Sequence, residues 1–117
     1  MSFMFKGCES LKSLNLNSFT TFNVENMEGM FNGCFNLTNC LLPLDTKNVT
    51  NMSLMFSDCK RLIMLDLSSL DITNVNNALN MFKYCSNLKK IVVSNDNYVI
   101  IERALRWDNI FPEIMAQ

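Results

Sequence analysis

Residues 51–67 read NMSLMFSDCKRLIMLDL, and the chain carries four versions of this stretch. In each version a Met-Phe pair is followed by a cysteine and then by a leucine that opens an L-x-x-L-x-L frame. The phenylalanines are Phe5, Phe31, Phe56 and Phe82, and the cysteines are Cys8, Cys34, Cys59 and Cys85. A spacing of 25 or 26 residues with this frame is typical of a leucine-rich solenoid, in which each repeat stacks on its neighbours.

Each repeat changes from one apolar periodicity to another. Leu65 and Leu67 alternate with outward-facing positions, which is the pattern of a short strand with one buried face. The equivalent strands are Ser13–Asn17, Asn39–Pro43 and Lys90–Ser94. After a polar turn the spacing becomes helical and predicts a helix of two to three turns, as for Val49, Met52, Phe56 and Cys59.

Stacking of such units predicts the overall architecture. Paired strands lie about 4.8 Å apart, whereas packed helices need about 8–10 Å. We therefore predict an α/β fold, a short leucine-rich-repeat solenoid with a parallel concave sheet and helices on the convex side. The repeats, about four with the first incomplete, are assigned to residues 1–94 and a C-terminal cap to residues 95–117. In this C-terminal segment, Asn95 or Asp96 is predicted to cap a helix running to about Trp107, with Tyr98, Ile101 and Leu105 on one face.

Composition argues against several classes of function. The 117 residues carry ten basic and eleven acidic side chains and no histidine. This balance leaves no electrostatic footprint for nucleic acid, and the commonest general base and metal ligand is missing. Acids such as Asp45 and Asp71 fall in turns without a partner base, so we expect no catalytic residue, cofactor or metal.

No apolar run is long enough to span a membrane, and the first residues show no export signal. We expect a cytoplasmic protein, or a surface protein if the chain belongs to a longer one.

The five cysteines admit three interpretations. A disulfide needs Cα atoms within about 7 Å, and helix packing would hold adjacent repeats farther apart. A zinc site needs pairs such as C-x-x-C, which the chain lacks. We favour a ladder of small buried hydrophobic side chains in a reducing compartment, with disulfides and metal binding as the alternatives.

The outward strand positions give the candidate binding surface. One column across the predicted sheet contains Asn15, Leu41, Asp66 and Val92, and the column before it contains Ser13, Asn39, Met64 and Lys90. Exposed Leu41, Met64 and Val92 would form an apolar patch rimmed by charge, which is typical of a protein interaction site. We predict partner binding by Asn15, Asn39, Leu41, Met64, Asp66, Lys90 and Val92. The alternative is a set of exposed apolar residues without consequence.

The N-terminal flank is a second candidate surface. Met1 aligns with Met27, so the first repeat is incomplete in this sequence. Its apolar side chains would face water, and these are Phe5, Leu11, Leu14 and Leu16. A second copy of the chain forming a homodimer, a partner protein or a preceding segment could cover them.

The strings at residues 26–34 (NMEGMFNGC) and 51–59 (NMSLMFSDC) resemble BspA-like leucine-rich repeats, and specifically their Met-Phe-rich branch in bacterial surface proteins. The resemblance covers about residues 1–93, and the cap with Trp107 is similar to the ending of such arrays. It implies a curved solenoid for adhesion or protein binding. We expect a non-enzymatic protein-binding module that uses the concave sheet or the open N-terminal edge. The alternative is a small cytosolic inhibitor or adaptor of a larger host enzyme, encoded by a mobile element.

Overall fold

The computed structural model describes residues 1–12, 16 and 20–117. Its strands are β1 (Asn39–Leu41), β2 (Met64–Asp66), β3 (Lys90–Val93) and β4 (Glu113–Ala116). A short 3₁₀ turn at Asn95–Asn97 leads into helix α1 (Tyr98–Trp107). The four strands form one parallel sheet in the order β1-β2-β3-β4. The described part of the chain is thus an α/β fold with a parallel sheet and a C-terminal helix.

The strands pair in the register that the repeat period predicts. Leu41 lies beside Asp66, and Asp66 lies beside Val92. The inward neighbours in the same strands, Cys40, Leu65 and Ile91, are buried in the core. Each repeat strand is shorter than predicted, at three or four residues. Of the predicted strand Ser13–Asn17, all but Leu16 lies outside the described residues.

The segments predicted as short helices are runs of turns, so that prediction is wrong. In an α-helix every N–H bonds a carbonyl four residues back. Here the N–H of Phe31 donates to Met55 O in the next repeat at 2.9 Å, and that of Phe56 donates to Met81 O at 2.9 Å. Alternate N–H groups donate backwards within the repeat, as Cys34 does to Phe31 O at 3.1 Å. We call these segments, residues 1–8, 27–34, 52–59 and 78–85, the turn ladders.

Left-handed backbone explains why the turn ladders are not helical. Gly29 and Gly33 flank Phe31 with φ of +59° and +73°, and Leu54 and Asp58 flank Phe56 with φ of +59° and +63°. Residues in a right-handed α-helix have negative φ, so positions with these positive angles cannot belong to one. At Gly29 a Cβ atom would also collide with the Phe3 ring. The apolar spacing is the same in a turn ladder and a helix, so periodicity alone could not separate them.

Stacked phenylalanines run through the turn-ladder side of the core. The ring centroids of Phe5, Phe31, Phe56 and Phe82 are 5.5, 5.6 and 6.0 Å apart in succession, with nearly parallel planes. Repeats on this side are therefore closer together than the 8–10 Å of packed helices. The predicted layer of convex helices is absent from the described residues, and the curvature inferred from it loses its physical basis.

The C-terminal segment covers the last repeat with two elements. Helix α1 is confirmed, and it buries Ile101, Ala104 and Leu105, whereas Tyr98 is exposed rather than buried as predicted. The N-cap residues are Ser94 and Asn97 rather than the predicted Asn95 or Asp96, and neither makes a side-chain capping hydrogen bond. Strand β4 was not predicted, because Pro112 and the short segment after it show no repeat frame. It pairs with β3 and places Met115 beside Val92.

Candidate functional site

The strongest candidate site is the solvent-facing side of the sheet, which we call the sheet face. Alternate residues of the four strands form it, in two columns that run across the sheet. One column contains Asn39, Met64, Lys90 and Glu113, and the other contains Leu41, Asp66, Val92 and Met115. The structure therefore brings together six of the seven predicted residues, and Asn15 lies outside the described residues.

Three large apolar side chains of the sheet face are open to solvent. Leu41 is 60% exposed, Met64 is 36% exposed and Met115 is 38% exposed. Asp66 and Lys90 are half-buried among them. The predicted combination of apolar side chains and charges of both signs is present. Glu113 and Met115 were missed, because no feature of the sequence signalled β4.

The prediction that Val92 is exposed is wrong, because Val92 is buried, with only 8% of its surface exposed. Strand β4 is the cause, since its pairing with β3 sets Met115 directly against Val92. Val92 therefore supports Met115 from the side and offers little surface of its own. The apolar part of the sheet face is accordingly Leu41, Met64 and Met115.

Asp66 has a structural role as well as a position on the sheet face. Its Oδ1 accepts the N–H of Ser68 at 2.9 Å and the Ser68 hydroxyl at 2.6 Å. At the next turn, Asp71 Oδ1 accepts the N–H of Thr73 at 3.0 Å and the Thr73 hydroxyl at 2.6 Å. The Thr73 hydroxyl and N–H lower the pKa of Asp71. Such side-chain turns fix the chain where a strand ends, so Asp66 is less free to change than Leu41 or Met64.

Three of the four turn-ladder cysteines, Cys34, Cys59 and Cys85, are buried core residues, as predicted. The thiols of Cys34, Cys59 and Cys85 donate to the carbonyls of Phe5, Phe31 and Phe56 at 3.1, 3.2 and 3.0 Å. Burial raises the pKa of Cys34 to about 11 and the pKa values of Cys40 and Cys85 to about 12. The thiolate is the nucleophile and metal ligand, so these thiols are chemically quiet. Cys8 is half-buried, and all five are free thiols.

The N-terminal flank is better covered than the sequence predicts. Leu16 is only 1% exposed, which corrects the expectation that it faces water. Phe5 and Leu11 are half-buried and pack against the core. Leu14 lies outside the described residues. Phe3 and Met4 remain exposed, at 38% and 50%.

Within residues 1–12, 16 and 20–117, no three acidic, cysteine or histidine side chains converge as a metal site would require. In the same part of the chain, no helix combines the length and the apolar character needed to cross a bilayer.

Comparison with known proteins identifies a family. Neither the curated proteins nor the solved structures give a match. A family model described as "Mycoplasma protein of unknown function, DUF285" matches residues 1–109, a range that includes all four turn ladders, β1 to β3 and α1. Because the match covers nearly the whole chain, the protein belongs to the DUF285 family.

Proposed function

We propose that this chain is a non-enzymatic protein-binding module, a short leucine-rich solenoid of the BspA-like kind that engages a partner through the sheet face. The main support for the proposal is the exposure of Leu41, a large apolar side chain that is 60% exposed and pairs across the sheet with Asp66. Met64 and Met115 extend the apolar area across the sheet. An apolar centre with polar neighbours is the usual composition of an interface.

Burial of the exposed parts of Leu41, Met64 and Met115 would contribute apolar binding energy to a complex. Full burial of a Leu or Met side chain is worth roughly 1.5–3 kcal/mol. Part of that is offset by the cost of bringing two molecules together. Asp66, Lys90 and Glu113 alternate in sign around the apolar side chains, which favours one orientation of a partner over others.

A second docking mode uses the first repeat. Phe3 and Met4 are exposed side chains of the first turn ladder. Either a partner protein or a second copy of the chain could cover them. A homodimer formed in this way would leave the sheet face open, so the two modes are separable by experiment.

The biological setting has two candidates. The BspA-like resemblance favours a piece of a bacterial surface adhesin. The buried free thiols favour a reducing compartment, and with it a small cytosolic inhibitor or adaptor of a larger host enzyme. Fractionation of the source cells, with protease shaving of intact cells, separates the two settings.

Site-specific photo-cross-linking tests the proposed function. A photoreactive phenylalanine at Leu41 or Met64 should capture a defined partner from a lysate of the source organism. The same residue at Tyr84, which is 56% exposed on the last turn ladder, is the matched control and should not capture it. A further probe at Met4 tests the first repeat, and capture from that position alone would assign the partner to it. Equal capture from all positions would contradict a specific site.

A further inference from the structure

A groove of about 380 Å³ lies between the last repeat and α1, away from the sheet face. Val75, Leu79, Ile100 and Trp107 give it an apolar wall, and Leu79 and Trp107 are 52% and 75% exposed. Asn76, Ala78 and Arg103 also line it. These residues match none of the predicted binding residues, so the groove is a separate site.

A row of single-residue β-bridges leads to the edge of this groove. Asn26 bridges to Asn51, and Asn51 bridges to Asn77, both in parallel orientation. In the second bridge, Asn77 donates its N–H to Thr50 O at 3.2 Å and accepts the N–H of Met52 at 2.8 Å. In the first bridge, Asn51 donates its N–H to Glu25 O at 3.4 Å, and its carbonyl accepts the N–H of Met27 at 2.8 Å. Each bridge therefore needs a fork, a carbonyl and an N–H placed two residues apart on the preceding repeat.

The last fork of this row is open. By the repeat period it consists of the carbonyl of Asn76 and the N–H of Ala78, and both residues line the groove. Neither group has a hydrogen-bond partner in the described part of the chain. Helix α1 occupies the side where another repeat would stack, but its backbone groups bond within the helix and do not fill the fork. An open carbonyl and N–H on a strand-like edge are a template for an extended peptide.

Charge defines the peptide further. Arg106 on α1 is paired with Glu102, one helical turn away. Arg103 on the same helix lines the groove and makes no ion pair within the described residues. A guanidinium beside an open backbone fork favours a carboxylate on the incoming segment. The apolar wall favours a neighbouring aliphatic side chain.

We propose that this groove binds an extended segment of a partner protein, whose backbone forms a third bridge in the row and whose acidic side chain meets Arg103. This site does not depend on the sheet face, and either site can fail without the other.

The chain's own bridge segments supply matched probes. Residues 23–28 (NVENME) make the first bridge and carry two glutamates, whereas residues 48–53 (NVTNMS) have the same frame with Thr and Ser in their place. Both are used as acetylated, amidated hexapeptides. Trp107 is the only tryptophan of the chain, so its fluorescence reports occupancy of the groove directly.

The acidic peptide should change Trp107 emission in a saturable manner at concentrations up to about 5 mM. It should bind roughly fivefold more tightly than the neutral peptide, since an exposed ion pair contributes up to about that factor. Arg103→Gln should abolish the difference between the peptides. Arg106→Gln, a matched change on the same helix, should preserve it. Circular dichroism establishes that both variants are folded.

Amide spectra of ¹⁵N-labelled protein test the bridge itself. The Ala78 amide should shift and gain protection from exchange when the acidic peptide binds, whereas the Met52 amide, already bonded to Asn77 O, should not. An unmoved Ala78 amide would overturn the bridge. Absence of saturable binding, equal affinity for both peptides, or a difference that survives Arg103→Gln would overturn the proposal.

Discussion

Single residues with left-handed backbone set the shape of every turn ladder. The positions flanking the central phenylalanine are Gly29 and Gly33 in one repeat but Leu54 and Asp58 in the next, all with positive φ. Left-handed geometry costs an L-residue about 1–2 kcal/mol. The stack tolerates that cost because the N–H groups of Leu54 and Asp58 donate to Leu79 O and Lys83 O of the next repeat, at 3.0 and 2.8 Å.

Buried thiols make a prediction about reactivity. At about pH 8, iodoacetamide should modify Cys8 first, because burial raises the pKa values of Cys34, Cys40 and Cys85 and suppresses their thiolates. All five should react after denaturation without reductant. Intact-mass analysis checks both stages, and a loss of four hydrogens per chain would show two disulfides and contradict the buried ladder.

The same thiols give a pH dependence of stability. Their pKa values in the fold lie above the ordinary value of 9.0, so the folded state holds its protons longer than the unfolded state. Their contribution to stability is fully present below about pH 9 and is lost as pH rises through about 11–12. A free energy of unfolding that rises over this alkaline range would contradict the burial of these thiols.

Asp108 closes the exposed end of the last turn ladder. Its Oδ2 accepts the N–H of Phe82 at 2.9 Å, replacing the carbonyl that a following repeat would supply. Asp108→Ala should lower the free energy of unfolding by about 1–3 kcal/mol, because it leaves a half-buried N–H without an acceptor. Asp108→Asn keeps an oxygen acceptor and should lose clearly less. Urea denaturation measures both, and equal losses would show that the bond to Phe82 is unimportant.

Asp108 should also show a pH effect of defined sign. Desolvation raises the pKa of its carboxyl, although the Phe82 N–H and Lys83 act in the opposite direction. With the folded pKa above the unfolded one, the carboxyl contributes most stability at low pH and loses it as pH rises through the folded pKa. Wild type should therefore gain stability relative to Asp108→Asn as the pH falls through the folded pKa towards about 4, and the gain should level off below that pH.

At the scale of elements, the phenylalanine stack joins the repeats on the side opposite the sheet. Phe56 is fully buried between Phe31 and Phe82, whereas Phe5 at one end is half-buried. Each repeat therefore depends on contacts with the next as much as on its own turns, as expected for stacked repeats.

Truncation of two phenylalanines tests this dependence. Phe56→Ala should lower the free energy of unfolding by about 3–5 kcal/mol, because it leaves a large cavity in the middle of the stack. Phe5→Ala should cost less, since Phe5 is half-buried at the end of the stack whereas Phe56 is fully buried. Urea denaturation of the two variants measures the difference. Equal losses would mean that the first repeat is packed as tightly as the third.

The elements also show what the sequence can and cannot predict. The strand register follows from the repeat period, because side chains that alternate must share a face with their equivalents one period away. The helix interpretation of residues 52–59 failed, because a turn ladder places the same apolar side chains inward. Strand β4 escaped prediction, because four residues without a repeat frame acquire their conformation only by pairing with β3.

For the whole molecule, the stacked repeats hold the sheet face in place. Hydrogen bonds between repeats run along both the sheet and the turn ladders, so the columns of the sheet face are fixed relative to each other. Five of the predicted binding residues meet on this face with exposed or half-exposed side chains, namely Asn39, Leu41, Met64, Asp66 and Lys90. The burial of Val92 could not be foreseen, because it depends on β4.

The central claim is that the sheet face binds the partner protein, and the affinity of the cross-linked partner tests it most directly. The double variant Leu41→Ser/Met64→Ser should weaken binding at least tenfold, or about 1.4 kcal/mol, without a change of thermal midpoint. Its matched control, Phe22→Ser/Tyr84→Ser, changes side chains that are 53% and 56% exposed elsewhere and should bind as wild type does. Unchanged affinity of the sheet-face variant, with loss of binding on Met4→Ser, would contradict the claim and move the partner to the first repeat.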